Sequence, residues 1–311
     1  MSATRDVKPS LTLFRKTFDL PADARRTFEA MTQPQHLAKW FSDRVEVELR
    51  VGGRFRFWGR RVPWTPRQSD ADQVITRFEP PSLLGFRWTW RGCPGEATLE
   101  LRPLDSAGTQ LVVHHAVAGQ LWPAEGEDAS LIGDFWKLFA GNLRSYLRTG
   151  TPAIDLDLSP RSGDVTLSID VDAPAARVFH ALSDPATMNR WLSRSATVDL
   201  RAGGEYSYGW TTIARNGVRT PAGPTRLIEV VPDRLLVHDW RYGDEPLTRV
   251  RWELSPLGAD RTRVTITHTK FDDETMHGGY TQGWAAFLVE LKALSESSTS
   301  AGRVAGEIAS R

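Results

Sequence analysis

The hydrophobic and polar residues follow one order of patterns, and that order occurs twice along the chain. Each time, a strand-like segment comes first, followed by two short segments with helical periodicity. A proline at the start of the second short segment fits the first turn of a helix. Further strand-like segments, separated by glycine and proline turns, come next. The predicted opening strands are Leu11–Leu20 and Val165–Val171, and the predicted short helices are Ala24–Met31, Pro34–Trp40, Ala175–Leu182 and Pro185–Trp191.

Each copy ends in a long helical pattern whose apolar residues recur every three or four positions. A helix with one apolar face needs an apolar partner, and a curved antiparallel sheet supplies one. The predicted fold class is therefore α+β. Each of two tandem domains is predicted to have a curved antiparallel sheet wrapped around a long C-terminal helix, with two short helices. The apolar stripes include Trp136, Phe139 and Leu143 in the first copy and Trp284, Phe287 and Leu291 in the second.

The two patterns are copies of one domain. Over residues 18–58 and 169–209, 14 of 41 aligned residues are identical without a gap. A match over a whole domain length indicates domain duplication and not a solenoid of short repeats. The offset between the copies changes where loops differ in length, from 151 at Trp40/Trp191 to 152 at Trp88/Trp240, 153 at His115/His268 and 148 at Trp136/Trp284.

The boundaries follow from local composition. The predicted domains are residues 1–149 and 164–296, each long enough to form its own core. Residues 150–163 are predicted to be a linker, because glycines and prolines interrupt a polar stretch there. Residues 297–311 are rich in serine, alanine and glycine and lack an apolar period, which predicts a disordered tail.

Composition and motifs argue against several classes of function. The 39 basic and 38 acidic side chains leave a net charge of +1, and no basic run is present, so nucleic-acid binding is not expected. No apolar stretch reaches the ~18 residues of a membrane span and no signal-peptide pattern opens the chain, so we expect a cytoplasmic protein without membrane contact. The single Cys93 excludes an intramolecular disulfide. Metal-ligand spacings and phosphate-binding loops are missing, so neither a metal nor a cofactor is expected.

The interior of the second copy is predicted to be more polar than that of the first. Strand alternation identifies the side chains that point inward. Burying a polar group without a partner costs ~1–3 kcal/mol. We therefore expect the second copy either to satisfy its polar groups internally or to bind a polar ligand. The matched positions are Phe55/Tyr206, Phe57/Tyr208 and Phe86/His238.

The predicted ligand-binding residues extend this set in both copies. His115 and His268 occupy matched positions, so the interpretations are a structural hydrogen bond, a ligand contact or acid–base catalysis. Catalytic residues are unknown, and His238 and His268 are the candidates if the protein is an enzyme. The matched tryptophans are either core anchors or ligand platforms. The full set is Tyr206, Tyr208, His238, Trp240, Trp252, His268 and Trp284 in the second copy and Phe55, Phe57, Phe86, Trp88 and His115 in the first.

Several residues together carry a family resemblance. They are Asp19-Leu20-Pro21-Ala22 and Asp170-Val171-Asp172-Ala173-Pro174, Phe28/Phe179, Pro34…Trp40-Phe41 and Pro185…Trp191-Leu192, Arg50-Val51-Gly52-Gly53 and Arg201-Ala202-Gly203-Gly204, Glu79-Pro80-Pro81…Trp88, and Thr267-His268. The chain resembles the bacterial homologues of the chaperone ATPase activator, within the SRPBCC superfamily of START-like and birch-pollen-allergen-like proteins. The resemblance implies helix-grip domains, each with a sheet of about seven strands around the long C-terminal helix and a cavity between sheet and helix. It supplies no shared catalytic motif.

Three functions follow as hypotheses. The first is binding of a small hydrophobic or aromatic molecule in an internal cavity, mainly of the second domain, for sequestration, transport or resistance. The second is a cyclase, aromatase or dehydratase that acts on a polyketide-like substrate, with histidines and tyrosines as acid–base groups. The third is stimulation of a chaperone ATPase. We prefer the first to the third because both halves have the same fold and the eukaryotic activator's separate N-terminal domain has no counterpart.

Overall fold

A computed structural model describes residues 11–90, 92–105, 107–118, 131–159, 161–193, 195–214, 216–269 and 277–308. The chain divides into two compact units, Met1–Asp157 and Leu158–Arg311. Both units combine antiparallel sheets with helices, which confirms the predicted α+β class. Within the described ranges, no helix has the length and apolar character needed to cross a membrane.

The first unit has seven strands and three α-helices in its described residues. Its elements are β1 (Leu11–Leu20), α1 (Ala24–Thr32), α2 (Pro34–Trp40), β2 (Arg44–Val47), β3 (Phe55–Trp58), β4 (Val74–Glu79), β5 (Leu83–Trp90), β6 (Cys93–Pro103), β7 (Thr109–Ala118) and α3 (Leu131–Thr149). Five strands form one antiparallel sheet in the order β1-β7-β6-β5-β4, and β2 pairs with β3.

The second unit repeats this order. Its described elements are β8 (Val165–Val171), α4 (Ala175–Ser183), α5 (Pro185–Met188), β9 (Thr197–Val198), β10 (Tyr206–Ser207), β11 (Trp210–Ile213), β12 (Arg219–Val231), β13 (Leu235–Arg241), β14 (Thr248–Gly258), β15 (Arg261–Thr269) and α6 (His277–Ile308). Six strands pair in the order β11-β12-β13-β14-β15-β8, and β9 pairs with β10. Between β10 and β11, Gly209 adopts a φ of 69° and interrupts the extended backbone.

The short helices are held in the same way in both units. Trp40 Nε1 donates to the Ala30 carbonyl at 3.0 Å, and Trp191 Nε1 donates to the Ala181 carbonyl at 3.1 Å. Each bond joins the first short helix of a unit to the tryptophan at or just after the end of the second short helix. This tryptophan pair therefore acts as a framework anchor. The second of the two short helices in the second unit ends at Met188, three residues before the predicted end.

The repeated glycine pair shapes the turn that leads into β3 and β10. Gly52 and Gly203 have φ values of 76° and 82°, a region that L side chains rarely adopt. A Cβ on Gly53 would lie 2.2 Å from the Glu48 carbonyl oxygen, and one on Gly204 would lie 2.1 Å from that of Asp199. The turn therefore requires glycine at both positions, and it sets the strands that carry the interior aromatic residues.

The closing helices pack their apolar stripes inward. In α3 the residues from Ile132 to Leu143 are buried, and in α6 Trp284, Leu288 and Leu291 are buried. The structure continues α6 to Ile308, so it differs from the predicted disordered tail over 297–308. That stretch includes alanine, arginine and glutamate, which favour helix.

The segment after α3 packs on the first unit. Asn142 Nδ2 donates to the Ile154 carbonyl and Asn142 Oδ1 accepts from the Ile154 amide, both at 3.1 Å. Arg61 Nε donates to Asp155 Oδ1 at 2.8 Å, and Leu156 is buried. A groove here has about 20 Å³ of free space, enough for a water molecule and too small for an organic ligand. The first residues of the predicted linker thus contribute to this unit's packing.

Candidate functional site

The second unit brings its seven predicted ligand-binding residues together in its interior. They lie on or directly after β10, on β13, β14 and β15, and on α6. Each is at most 4% exposed. We call this group the aromatic cluster; its members are Tyr206, Tyr208, His238, Trp240, Trp252, His268 and Trp284.

Trp240 connects the members of the aromatic cluster. Its ring centroid lies 4.9 Å from that of Trp284, 6.2 Å from that of Tyr208 and 6.3 Å from that of His238. The Trp252 and Trp284 centroids are 5.7 Å apart. These distances are in the range of favourable aromatic contacts. The polar atoms of the cluster are therefore surrounded by ring surfaces.

A tryptophan–histidine hydrogen bond occurs in both units. Trp284 Nε1 donates to His268 Nδ1 at 3.0 Å, and Trp136 Nε1 donates to His115 Nδ1 at 3.2 Å. Because Nδ1 accepts, each imidazole is neutral and carries its proton on Nε2. The bond ties the last strand of the sheet to the closing helix, which supports the structural interpretation of both histidines.

The second ring nitrogen of this histidine differs between the units. His268 Nε2 donates to Thr248 Oγ1 at 2.7 Å. The strand register places Gly95 at the matched position, and His115 Nε2 has no partner among the described residues. Burial, with a smaller contribution from His238, lowers the pKa of His268 to about 3. His268 is thus a neutral side chain with both ring nitrogens engaged.

His238 has one engaged nitrogen and one free nitrogen. Its Nδ1 lies 3.1 Å from the carbonyl oxygen of Asp239, which can only accept, so Nδ1–H is the donor. Burial lowers the pKa of His238 to about 4, so the ring is neutral at pH 7. The proton on Nδ1 leaves a lone pair on Nε2, and Nε2 has no hydrogen-bond partner in the described part of the chain.

Of the two tyrosine hydroxyls in the aromatic cluster, one is hydrogen-bonded and the other is free. The Tyr206 hydroxyl donates to the Leu182 carbonyl at 2.6 Å. The Tyr208 hydroxyl lies near that of Tyr206, and the two groups affect each other's pKa, but no described atom meets the distance and angle of a hydrogen bond with Tyr208. Burial raises the pKa of both phenols, so both keep their protons at pH 7.

Trp252 provides a third free polar atom. Its indole Nε1–H has no acceptor among the residues that the structure describes. Three polar atoms of the aromatic cluster are therefore buried without a partner, and each lies where the first unit has an apolar side chain. The matched pairs are Tyr208/Phe57, His238/Phe86 and Trp252/Leu99.

The first unit also buries its predicted residues, with a different set of free atoms. Phe55, Phe57, Phe86, Trp88 and His115 are at most 3% exposed. The rings of Trp88 and His115 stack at 5.8 Å with an interplanar angle of 6°. Trp88 Nε1 and His115 Nε2 lack partners in the described residues, and both are donors.

One series of hydrogen-bonded polar side chains in the second unit is absent from the residues predicted for the site. Trp240 Nε1 donates to the Tyr280 hydroxyl at 3.2 Å, and Tyr280 donates to Glu245 Oε2 at 2.7 Å. The position matched to Tyr280 in the first unit is Ile132. The hydroxyl at that helical position was a usable signal, whereas Glu245 lies in a strand connection where no periodicity points to it.

The histidines of the aromatic cluster are suited to hydrogen bonding more than to proton transfer. A general base or acid works best with a pKa near the working pH. The pKa values of about 4 for His238 and about 3 for His268 lie well below neutrality. At neutral pH both rings are therefore uncharged hydrogen-bonding groups.

Comparison with protein families gives two matches to one family. The model described as Activator of Hsp90 ATPase homolog 1-like protein matches residues 21–148 and 172–296, more than half of the chain. The double match confirms the resemblance predicted from the sequence, in two tandem domains of the SRPBCC type. No curated protein sequence matches the chain significantly.

Solved structures that match the chain include a putative protein in a biosynthetic locus, CalU16 and an HSP90 activator. DynU16, a putative protein in the dynemicin biosynthetic locus, is 19% identical with a TM-score of 0.37, covering 91% of this chain and 97% of that chain. CalU16 from Micromonospora echinospora is 28% identical with a TM-score of 0.35, and the match covers 42% of this chain and 71% of that chain. PFC0360w, an HSP90 activator from Plasmodium falciparum, is 23% identical with a TM-score of 0.31, and the match covers 39% of this chain and 89% of that chain.

Proposed function

Because the chain belongs to the Activator of Hsp90 ATPase homolog 1-like family, and the fold of this family does not determine a single chemistry, we propose a function from the residues of the interior. The protein binds a small aromatic molecule inside the second unit. The observation that carries the proposal is the set of free polar atoms on Tyr208, His238 and Trp252. A ligand that pairs with these atoms removes their desolvation cost, and ring surfaces supply the remaining contact area.

The contrast between the units supports the choice of the second. Its three free atoms stand where the first unit has Phe57, Phe86 and Leu99, so the fold itself does not need polar side chains there. Framework features, by contrast, recur in both units, such as the tryptophan–histidine bond. Polar side chains at inward positions of one copy only are expected where that copy has a recognition role and the other has a scaffold role. Sequestration, transport and resistance all use this binding step.

A cyclase or dehydratase is the second candidate, and His238 is the observation that favours it. Its Nε2 lone pair is the basic atom of the aromatic cluster that has no partner in the described residues. With a pKa of about 4 it is a weak base at neutral pH, so binding is preferred to turnover. Product analysis after incubation with a bound molecule separates the two, since a binder returns the molecule unchanged.

Photo-crosslinking with benzophenones tests the proposed function. The full-length protein is incubated with para-hydroxybenzophenone, irradiated, digested and analysed by mass spectrometry. We expect labelling on peptides from β10 to α6. The Tyr208→Phe/His238→Phe variant should lose at least tenfold in affinity, equivalent to ~1.4 kcal/mol. Trp88→Phe, which removes a free donor of the first unit, is the matched control and should keep both affinity and labelling. Labelling confined to the first unit, or no saturable binding, contradicts the proposal.

Native mass spectrometry of the purified full-length protein complements this experiment. A bound molecule from the expression host should appear as a fixed added mass on the folded protein. The added mass should be absent after denaturation and smaller in amount for the Tyr208→Phe/His238→Phe variant. An added mass that is equally abundant in both proteins would place the molecule elsewhere on the chain.

A further inference from the structure

The free atoms of the aromatic cluster have fixed hydrogen-bonding polarity. Trp252 Nε1 can only donate. His238 Nε2 can only accept while the ring is neutral, because the proton stays on Nδ1 to bond the Asp239 carbonyl. The Tyr208 hydroxyl keeps its proton and can donate. A ligand that satisfies all three must therefore bring one donor and at least one acceptor.

The surroundings of these atoms restrict the ligand further. The Tyr206 ring contacts two of the residues that carry them, with its centroid 5.6 Å from that of Tyr208 and 5.1 Å from that of His238. Trp240 and Trp284 supply further ring surfaces next to His238 and Trp252. Charged partners are disfavoured in such an interior because an unpaired charge loses its hydration there. The ligand is thus expected to be uncharged, flat and aromatic.

We propose that the second unit recognises an uncharged aromatic hydroxy-carbonyl compound, whose hydroxyl donates to His238 Nε2 and whose carbonyl oxygen accepts from the Tyr208 hydroxyl or Trp252 Nε1. The assignment rests on the proposed function and specifies its ligand class. A carbonyl oxygen has two lone pairs, so one such group can accept one or both of these donors. A site built to pair with a hydroxyl rejects analogues that lack it, since its buried acceptor is then left unpaired.

The matched residues of the first unit offer free donors but no free acceptor, so the first unit serves as an internal reference. Among its residues matched to the aromatic cluster, the free atoms are Trp88 Nε1 and His115 Nε2, and both are donors. Phe86 stands where the second unit has the acceptor His238. The proton of a ligand hydroxyl therefore finds no free acceptor on these residues of the first unit, and a hydroxyl oxygen accepts there no better than a methoxy oxygen. A preference for hydroxyl over methoxy is thus expected only of the second unit.

Four matched diaryl compounds test the ligand class by isothermal titration of the full-length protein. Para-hydroxybenzophenone has both groups, para-methoxybenzophenone lacks the donor, para-benzylphenol lacks the carbonyl, and benzophenone has the carbonyl alone. We expect para-hydroxybenzophenone to bind at least tenfold more tightly than each of the others. Equal affinities for all four would overturn the ligand class while leaving the proposed function intact. Failure of all four to bind would overturn both.

Single substitutions assign each group to its partner. His238→Phe should abolish the preference for hydroxyl over methoxy while keeping the preference for ketone over methylene. Tyr208→Phe should reduce the preference for ketone over methylene by severalfold and keep the preference for hydroxyl. Tyr146→Phe, which removes a phenol of the first unit that hydrogen-bonds with His36, is the control, and both preferences should persist. The assignment is wrong if His238→Phe leaves the hydroxyl preference unchanged in a variant whose circular dichroism and melting show a folded protein.

Discussion

Two tyrosines two positions apart in the second unit differ in a single hydrogen bond. Both are fully buried, and both keep a neutral phenol. Tyr206 donates to the Leu182 carbonyl of α4, while Tyr208 has no partner among the described residues. The first hydroxyl therefore stabilises the fold, and the second destabilises the unliganded protein. A residue that costs stability and has an apolar counterpart in the other unit is expected to act in recognition.

Tyr208→Phe should therefore stabilise the unliganded protein, and Tyr206→Phe should destabilise it. Removing an unpaired buried hydroxyl recovers part of a desolvation cost of ~1–3 kcal/mol, whereas removing a paired one loses ~1 kcal/mol. The free energy of unfolding of the second unit, measured by urea denaturation, is the readout. Changes of the same sign for the two substitutions would show that Tyr208 has a partner in solution.

Stability should also fall in acid through the buried histidines. The pKa of His238 is about 4 in the fold against a reference of 6.5. Between these values the unfolded chain binds a proton at this position and the folded chain does not. His238 therefore does not lower the free energy of unfolding above pH 6.5, and it lowers that free energy progressively as the pH falls from 6.5 toward 4. Between pH 7.5 and 5.0, wild type should lose about 2 kcal/mol more than His238→Phe. Equal losses in urea titrations would contradict the buried, neutral state of His238.

Among the elements, those with strong local signals agree with the sequence prediction and the others do not. β1 and β8 have the predicted bounds, and α1, α2 and α4 begin at the predicted residues Ala24, Pro34 and Ala175. α5 is shorter than predicted, and α6 is longer. Local propensity cannot show that the segment around Ile154 packs on α3, because that packing depends on the Asn142 side chain in the folded unit.

Asn142→Ala should weaken the first unit. The substitution removes the partner of the Ile154 amide and of its carbonyl, both buried, so we expect a loss of ~1–3 kcal/mol. Arg60→Ala is the control, since Arg60 pairs with Asp155 in a half-exposed position where ion pairs contribute ~0–1 kcal/mol. Thermal melts of the full-length variants measure both. An equal effect of the two substitutions would mean that the segment after α3 does not depend on Asn142.

For the whole molecule, duplication is the property that the sequence reveals most fully. Matched residues predicted two α+β domains, and the fold and the double family match confirm them. The same alignment identified the polar substitutions in the second interior. Three details could not be read from it: which tyrosine hydroxyl is paired, which nitrogen of His238 is free, and the link from Trp240 through Tyr280 to Glu245. Each depends on side-chain geometry across several elements.

We predict that residues 1–157 and 158–311 each fold alone, because each unit has its own opening strand and closing helix. Separate expression and circular dichroism of the two fragments, with thermal melting, is the measurement. Cooperative melting of both is expected. If neither fragment melts cooperatively, contacts between the two halves would be essential to folding.

The central claim, that the second unit binds an aromatic molecule through its free polar atoms, is tested most directly by the indole N–H resonances. The ¹H–¹⁵N spectrum of the full-length protein resolves tryptophan side chains, and Trp252→Phe and Trp136→Phe assign two of them. On titration with para-hydroxybenzophenone, the Trp252 indole should shift downfield as it gains an acceptor. The Trp136 indole, which already donates to His115, should stay unchanged. A shift of Trp136 without one of Trp252 would contradict the account.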